Sequence, residues 1–139
     1  MEVGPRDGLQ NIKQLVPKDV KIELIQQLAA AGLRNIEATS FVSPKWVPQL
    51  ADGHDVLQET LHSGNSQKDQ PHHFRFPVLA PNMKGLQNAK AAGANEIVVF
   101  ASVTEAFSKA NQNCTVAEAL AQAKAVTAEA LSAGIKARR

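Results

Sequence analysis

Arg6 and Asp7 stand side by side in Gly4-Pro5-Arg6-Asp7-Gly8, directly after a short apolar stub. A guanidinium can stabilise negative charge developing on oxygen, and a carboxylate can bind a hard divalent cation. Neighbours on an extended strand point to opposite faces, so the two can serve one site only if the backbone leaves the strand there. The flanking glycines and the proline favour such a departure. A surface turn holding a local ion pair of little energetic worth is the alternative.

Glu37 sharpens the pattern. It interrupts Asn35-Ile36-Glu37-Ala38-Thr39-Ser40-Phe41, a run otherwise suited to a central strand. A buried carboxylate without a partner costs several kcal/mol, about what breaking a buried ion pair costs. It therefore needs a cation, and Arg6, on an adjacent first strand, is the nearest candidate. The alternative is an edge strand that leaves Glu37 in water, which flanking first and third strands would prevent. The histidines do not form a ligand set. His54 and His62 are eight apart in a helical stretch, and His72 and His73 are adjacent in a polar run. Solvated side chains are expected for all four. The lone Cys114 excludes an internal disulfide, and a half-buried or surface thiol is expected. Trp46 is expected to anchor the loop after the second strand by packing.

These residues need a scaffold, and the chain repeats one. Ala-Ala-Gly-Leu at 30–33, Ala-Ala-Gly-Ala at 91–94 and Ser-Ala-Gly-Ile at 132–135 each read as a helix end. Glycine suits the left-handed position just past a helix, and an apolar β-prone run follows. Helices are expected from Pro17, over 49–61 and 84–92, and over 116–133, where Thr115 and Glu118 have capping-box spacing. In the first helix Val20, Leu24, Ile25 and Leu28 form the apolar stripe, with Lys18, Lys21, Gln26 and Gln27 mostly off it. Strands are expected at 2–3, 35–41, 74–79 and 96–101, with another starting near Ile135; residues 64–73 read as a surface loop. Alternating strands and helices give an α/β chain of about four parallel βα units. The sheet could be open and doubly wound, or part of an eight-fold barrel. No dinucleotide fingerprint or P-loop is present. In a barrel, chemistry gathers at the C-terminal ends of strands, and Arg6, Asp7, Glu37, Ser40 and Asn82 fall after or within strands.

At 139 residues, one domain is the natural count. No apolar run approaches the roughly 20 residues of a membrane span, and Met1-Glu2-Val3 lacks the basic start of a signal peptide. Fifteen Lys and Arg are scattered against 13 acidic residues with few aromatics, so neither a nucleic-acid nor a membrane partner is expected.

Four motifs carry a family resemblance: Glu2–Asn11 (EVGPRDGLQN), Ile36–Asp52, Phe76–Leu86 (FPVLAPNMKGL) and Phe107–Cys114. Their order and spacing over nearly the whole chain resemble the 3-hydroxy-3-methylglutaryl-CoA lyases, within the wider DRE-TIM metallolyase group. The resemblance implies a (β/α)8 TIM barrel, of which this chain would be the N-terminal half, about the first four βα units. It implies cleavage of an acyl-CoA substrate into acetyl-CoA and acetoacetate, in leucine catabolism and ketone-body formation. The implied cofactor is Mg2+ or Mn2+, with Asp7 as a metal ligand. Arg6 and Glu37 would be catalytic, Arg6 steadying an enolate oxygen and Glu37 acting as the acidic partner of the polar cluster. Arg6, Gln10 and Ser40 would meet the substrate, with Lys13 near the edge of the site. Full-length relatives would be homodimers, mitochondrial in eukaryotes and cytoplasmic in bacteria, and no targeting segment is expected in this chain.

Two positions depart from the family pattern. Ile12 replaces a common acidic residue, and Ala101 stands where glycine is usual. The family's His-x-His metal pair, metal-binding Asn and catalytic Cys belong to its later half, so the chain is expected to be a truncated form, inactive alone. The rival readings are a related condensing synthase and a non-catalytic half-barrel that needs a partner.

Overall fold

The structure is a computed structural model that describes residues 1–65 and 74–138. Its repeating unit is set by three glycines. Gly32, Gly93 and Gly134 have φ of 97°, 87° and 75°, the left-handed region that side chains avoid. Each closes a helix: α1 (Lys18–Ala30), α3 (Met83–Ala91) and α5 (Val116–Ser132). Each turn then feeds the chain back into a parallel sheet. Its strands are β1 (Thr39–Ser40), β2 (Val78–Leu79), β3 (Glu96–Val98) and β4 (Lys136–Arg138), in the order β1-β2-β3-β4. Isolated parallel bridges, Glu2 to Ile36 and Asn35 to Arg75, extend the pairing towards the N-terminus. The α/β order and all the expected strand positions are present, although the regular ladders are shorter than the β-prone runs.

Pro77 explains part of that shortening. Asn35 pairs with Arg75, yet Thr39 pairs with Val78. Four steps along the first strand therefore answer three along the second, which is the count of a β-bulge. Proline has no N–H for the ladder and is tolerated in a central strand chiefly at such irregularities. Its carbonyl still accepts the Ala38 N–H at 3.0 Å. Glu37 lies inside the bulged stretch.

One sheet face is apolar. Ile36, Ala38, Val78 and Ile97 pack there with Ile25, Leu57, Leu86 and Val126 from the helices. By the alternation of side chains, Glu37 and Glu96 belong to the other face.

Several expectations need correction. α2 runs Gly53–Asn65, not 49–61, because Pro48–Leu50 forms a short 3-10 turn before it. Gly64 and Asn65 of the expected loop are thus helical; the rest of that loop, with His72 and His73, lies outside the described residues. A further helix, α4 (Glu105–Gln112), follows Thr104, whose hydroxyl accepts the Phe107 N–H. In α1 the buried face includes Lys21, Ile22, Ile25 and Ala29, while Val20 is 50% exposed. Lys21 is drawn inward by Asp52, 2.8 Å from its ammonium. Trp46 is 70% exposed and does not anchor its loop; Gln49 and Leu50 are the buried residues there. The capping box is present, with the Glu118 N–H on the Thr115 hydroxyl at 3.2 Å and the Thr115 N–H on Glu118 at 2.8 Å.

Candidate active site

The departure from the first strand is a single wide turn. After Glu2, Gly4–Gly8 forms one π-helical turn with Pro5 at its start. The Val3 carbonyl closes it, accepting the N–H groups of Arg6, Asp7 and Gly8 at 3.1, 2.7 and 3.4 Å. The turn releases Arg6 and Asp7 from strand alternation, so the two side chains can meet. Arg6 Nη1–H donates to Asp7 Oδ1 at 2.9 Å, and Arg6 Nε–H donates to Glu37 Oε1 at 2.6 Å. Glu2 aligns the two strands by backbone bonds: its N–H donates to Asn35 O and its carbonyl accepts the Glu37 N–H, both at 2.8 Å.

The burial gradient across the trio is steep. The Glu37 side chain is 1% exposed, Arg6 16% and Asp7 59%. A charged pair so shielded is electrostatically stronger than one in water, yet it stands only because each charge meets the other. Two of the guanidinium's five N–H groups are committed to the carboxylates, and the other three have no protein acceptor among the described residues. The arrangement is a cation held by one acid at Nε and by another at Nη1, with donors left for an oxyanion.

Gln10 is half-buried and Lys13 exposed, and neither side chain makes a hydrogen bond among the described residues. Ser40 is buried, its hydroxyl accepts the Val42 N–H at 3.2 Å, and it lines a cavity of about 290 Å3 with Phe41, Val42, His54 and Asn88. No hydrogen bond joins Ser40 to the trio. His54 and His62 are exposed, the first against Asp55 and the second against the Gln58 carbonyl. Cys114 is half-buried.

For a divalent cation, Asp7 is the accessible carboxylate, and one of its oxygens is already shared with Arg6. Among the described residues no group of three or more His, Cys, Asp or Glu could hold a metal ion. These residues therefore fit one ligand of an oxygen-rich site, where Mg2+ requires an octahedral set. They do not make a complete site.

A second charged cluster was not anticipated. Glu96 is buried and receives Arg75 through Nε and Nη2 at 2.8 and 2.7 Å, and Arg138 Nε at 2.8 Å. The signal was available: Glu96 opens an apolar run, as Glu37 interrupts one. Lys21, Gln49 and Asp52 were also missed as a group, because their contacts span about thirty residues of chain.

Comparisons with known proteins agree with this architecture. The family model HMGL-like matches residues 1–138. The chain is 53% identical over 132 residues to an Arabidopsis thaliana protein named mitochondrial hydroxymethylglutaryl-CoA lyase, covering 94% of this chain and 26% of that one. It is 51% identical to the Mus musculus mitochondrial protein of the same name, covering 99% of this chain and 40% of that one. The solved hydroxymethylglutaryl-CoA lyase of Brucella melitensis superposes with a TM-score of 0.84 at 48% identity, over 99% of this chain and 47% of that one. That of Bacillus subtilis gives 0.87 at 40% identity, over 99% and 43%. The chain belongs to the HMGL-like family, whose lyases act on carbon–carbon bonds. Its fold matches the N-terminal part of their TIM barrels. It spans roughly a quarter to two-fifths of the length of these curated relatives. Relatives are named both mitochondrial and cytoplasmic, and among the described residues no helix is long and apolar enough to cross a membrane.

Proposed function

We propose that the protein carrying this sequence cleaves 3-hydroxy-3-methylglutaryl-CoA to acetyl-CoA and acetoacetate, with residues 1–139 supplying the first four βα units of one barrel domain. The observation that carries the reading is the clamped guanidinium of Arg6, with three donors to spare, in a chain about half identical to named lyases. A solved lyase of this kind from Acinetobacter baumannii was captured with coenzyme A and 3-methylmalate, which supports a CoA-ester substrate.

The reaction needs three things. A proton must leave the tertiary hydroxyl for a base, the carbon–carbon bond must break with its electron pair passing to the thioester, and the thioester oxygen must carry the resulting enolate charge until the enolate carbon takes up a proton to give acetyl-CoA. Arg6 serves the third need: its uncommitted N–H groups donate to that oxygen, while Glu37 and Asp7 hold the guanidinium plane still. Glu37 thereby acts as the acidic partner of Arg6. Gln10 and Ser40 are assigned to substrate contacts and Lys13 to the edge of the site. Asp7 is assigned as one ligand of Mg2+ or Mn2+, a cation that would supply Lewis acidity at the hydroxyl and carboxylate oxygens. With one ligand of that set, the 139-residue chain alone is expected to be inactive, and the active form is expected to be a homodimer of longer chains.

The test is a chimera in which residues 1–138 replace the matched segment of the mouse lyase. Acetoacetate formation that is lost with Arg6→Gln supports the proposal. A folded chimera that binds coenzyme A but releases no acetoacetate refutes it. Metal-dependent acetoacetate release from the isolated chain would refute the expected inactivity.

A further inference from the structure

Gln49 is buried to 4% exposure, and its side-chain hydrogen bonds all go to one stretch of backbone. Its Oε1 accepts the Val16 N–H at 2.9 Å, and its Nε2 donates to the carbonyls of Ile12 and Gln14 at 3.1 and 2.9 Å. Its own carbonyl accepts the ammonium of Lys21, which is held in turn by both oxygens of Asp52 at 2.8 Å. The stretch from Asn11 to Val16 belongs to no regular helix or strand. The Ile12 N–H donates locally, to Leu9 O at 3.0 Å. The loop that leaves the Arg6–Asp7 turn is therefore anchored at its near end by the Val3 carbonyl and at its far end by Gln49. Gln49 itself sits in the connection after β1, the strand that continues from Glu37.

We propose that Gln49 is a positioning residue: its side-chain carboxamide ties the loop bearing Arg6, Asp7, Gln10 and Lys13 to the loop that follows Glu37 and fixes the Arg6–Glu37 geometry. A loop fixed at both ends holds its residues to a narrower range than one fixed at a single end. A buried amide that spans three backbone groups is also hard to replace, since each unmade bond leaves a desolvated partner. The assignment matters to catalysis through the lyase reading, but its test does not require turnover.

The test uses the 139-residue chain with Gln49→Glu, which keeps shape and one acceptor and removes the donors to Ile12 and Gln14, and with Gln49→Ala. Side-chain exchange of Arg6 Nε–H is followed by NMR, with Arg75 Nε–H, bound to Glu96, as the internal control. The expected result is exchange faster by about tenfold at Arg6, with Arg75 unchanged. Faster exchange at the Val16 amide with Arg6 unchanged would overturn the proposal, because the clamp would then be structural only. Equal acceleration at Arg6 and Arg75 would overturn it too, as global loosening. Should Gln49→Ala fail to fold, Gln49→Glu decides alone.

Discussion

Glu37 and Glu96 lie on the same face of the sheet with Pro77 between them, and they are neutralised unequally. Glu37 has the single guanidinium of Arg6, whereas Glu96 has both Arg75 and Arg138. Removing Arg6 strands a carboxylate that is 1% exposed, at a cost of about 3–5 kcal/mol. Removing Arg75 leaves Glu96 with Arg138, so Arg75→Ala should cost no more than about 2 kcal/mol. The double variant Arg75→Ala/Arg138→Ala should then lose more than the sum of its singles, since only it strands the charge. Urea unfolding of the four variants measures this. Equal costs for Arg6→Ala and Arg75→Ala would contradict the assignment.

Gly53 opens α2 hard against β1. A Cβ there would lie 2.9 Å from Thr39 Oγ1 and 3.1 Å from the Ser40 carbonyl, and the backbone atom cannot swing away. Gly53→Ala should destabilise by about 1–3 kcal/mol. Gly8, at the end of the π-helical turn, has nothing within 4 Å of such a Cβ. Gly8→Ala should be neutral or stabilise by up to about 1 kcal/mol through the unfolded chain. The pair of melting curves separates close packing from backbone entropy as the reason for each glycine.

Much of the fold is legible because its signals are local. A helix ending in small residues needs a left-handed residue to turn back, which is why Gly32, Gly93 and Gly134 mark three helix ends. Glu37 is legible because an acid in an apolar strand must find a cation. What stays hidden depends on distant partners. Lys21 reads as solvent-facing until Asp52 closes on it, and nothing local to Gln49 shows that its carboxamide is taken up by residues 12–16. The bulge is hidden for another reason: Pro77 announces an irregularity, but the register that absorbs it belongs to the neighbouring strand. Residue type alone points to Trp46 as an anchor, yet it is 70% exposed, and Trp46→Ala should change stability by no more than about 0.5 kcal/mol. A loss near the 3–5 kcal/mol usual for a buried tryptophan would restore it as an anchor.

The start of α5 should respond to acid. The backbone N–H and hydroxyl of Thr115 hold the Glu118 carboxyl below the ordinary glutamate range. A carboxyl depressed in the folded state contributes stability above its unfolded pKa and loses it as pH falls through the folded value. Protection of the first α5 amides should therefore decline below about pH 4, and Glu118→Gln should abolish that decline. The group is fully exposed, so the effect should weaken in salt. An unchanged acid limb in Glu118→Gln would show that another carboxyl governs it.

Arg6→Lys is the most discriminating change for the proposed chemistry, because it keeps the charge and removes the fork. Arg6 reaches Glu37 through Nε and Asp7 through Nη1 while keeping further donors in the same plane. An ammonium is a point charge on a flexible stem, and one that pairs with Glu37 cannot also hold Asp7 and aim at a third oxygen in a fixed plane. If Arg6 meets charge that appears only as the carbon–carbon bond breaks, Arg6→Lys in the mouse chimera should lower kcat by about 10²–10³-fold with a much smaller change in KM. Thermal stability should fall less than in Arg6→Ala, since Glu37 keeps a cation. A raised KM with kcat intact would place Arg6 on a part of the substrate that does not react.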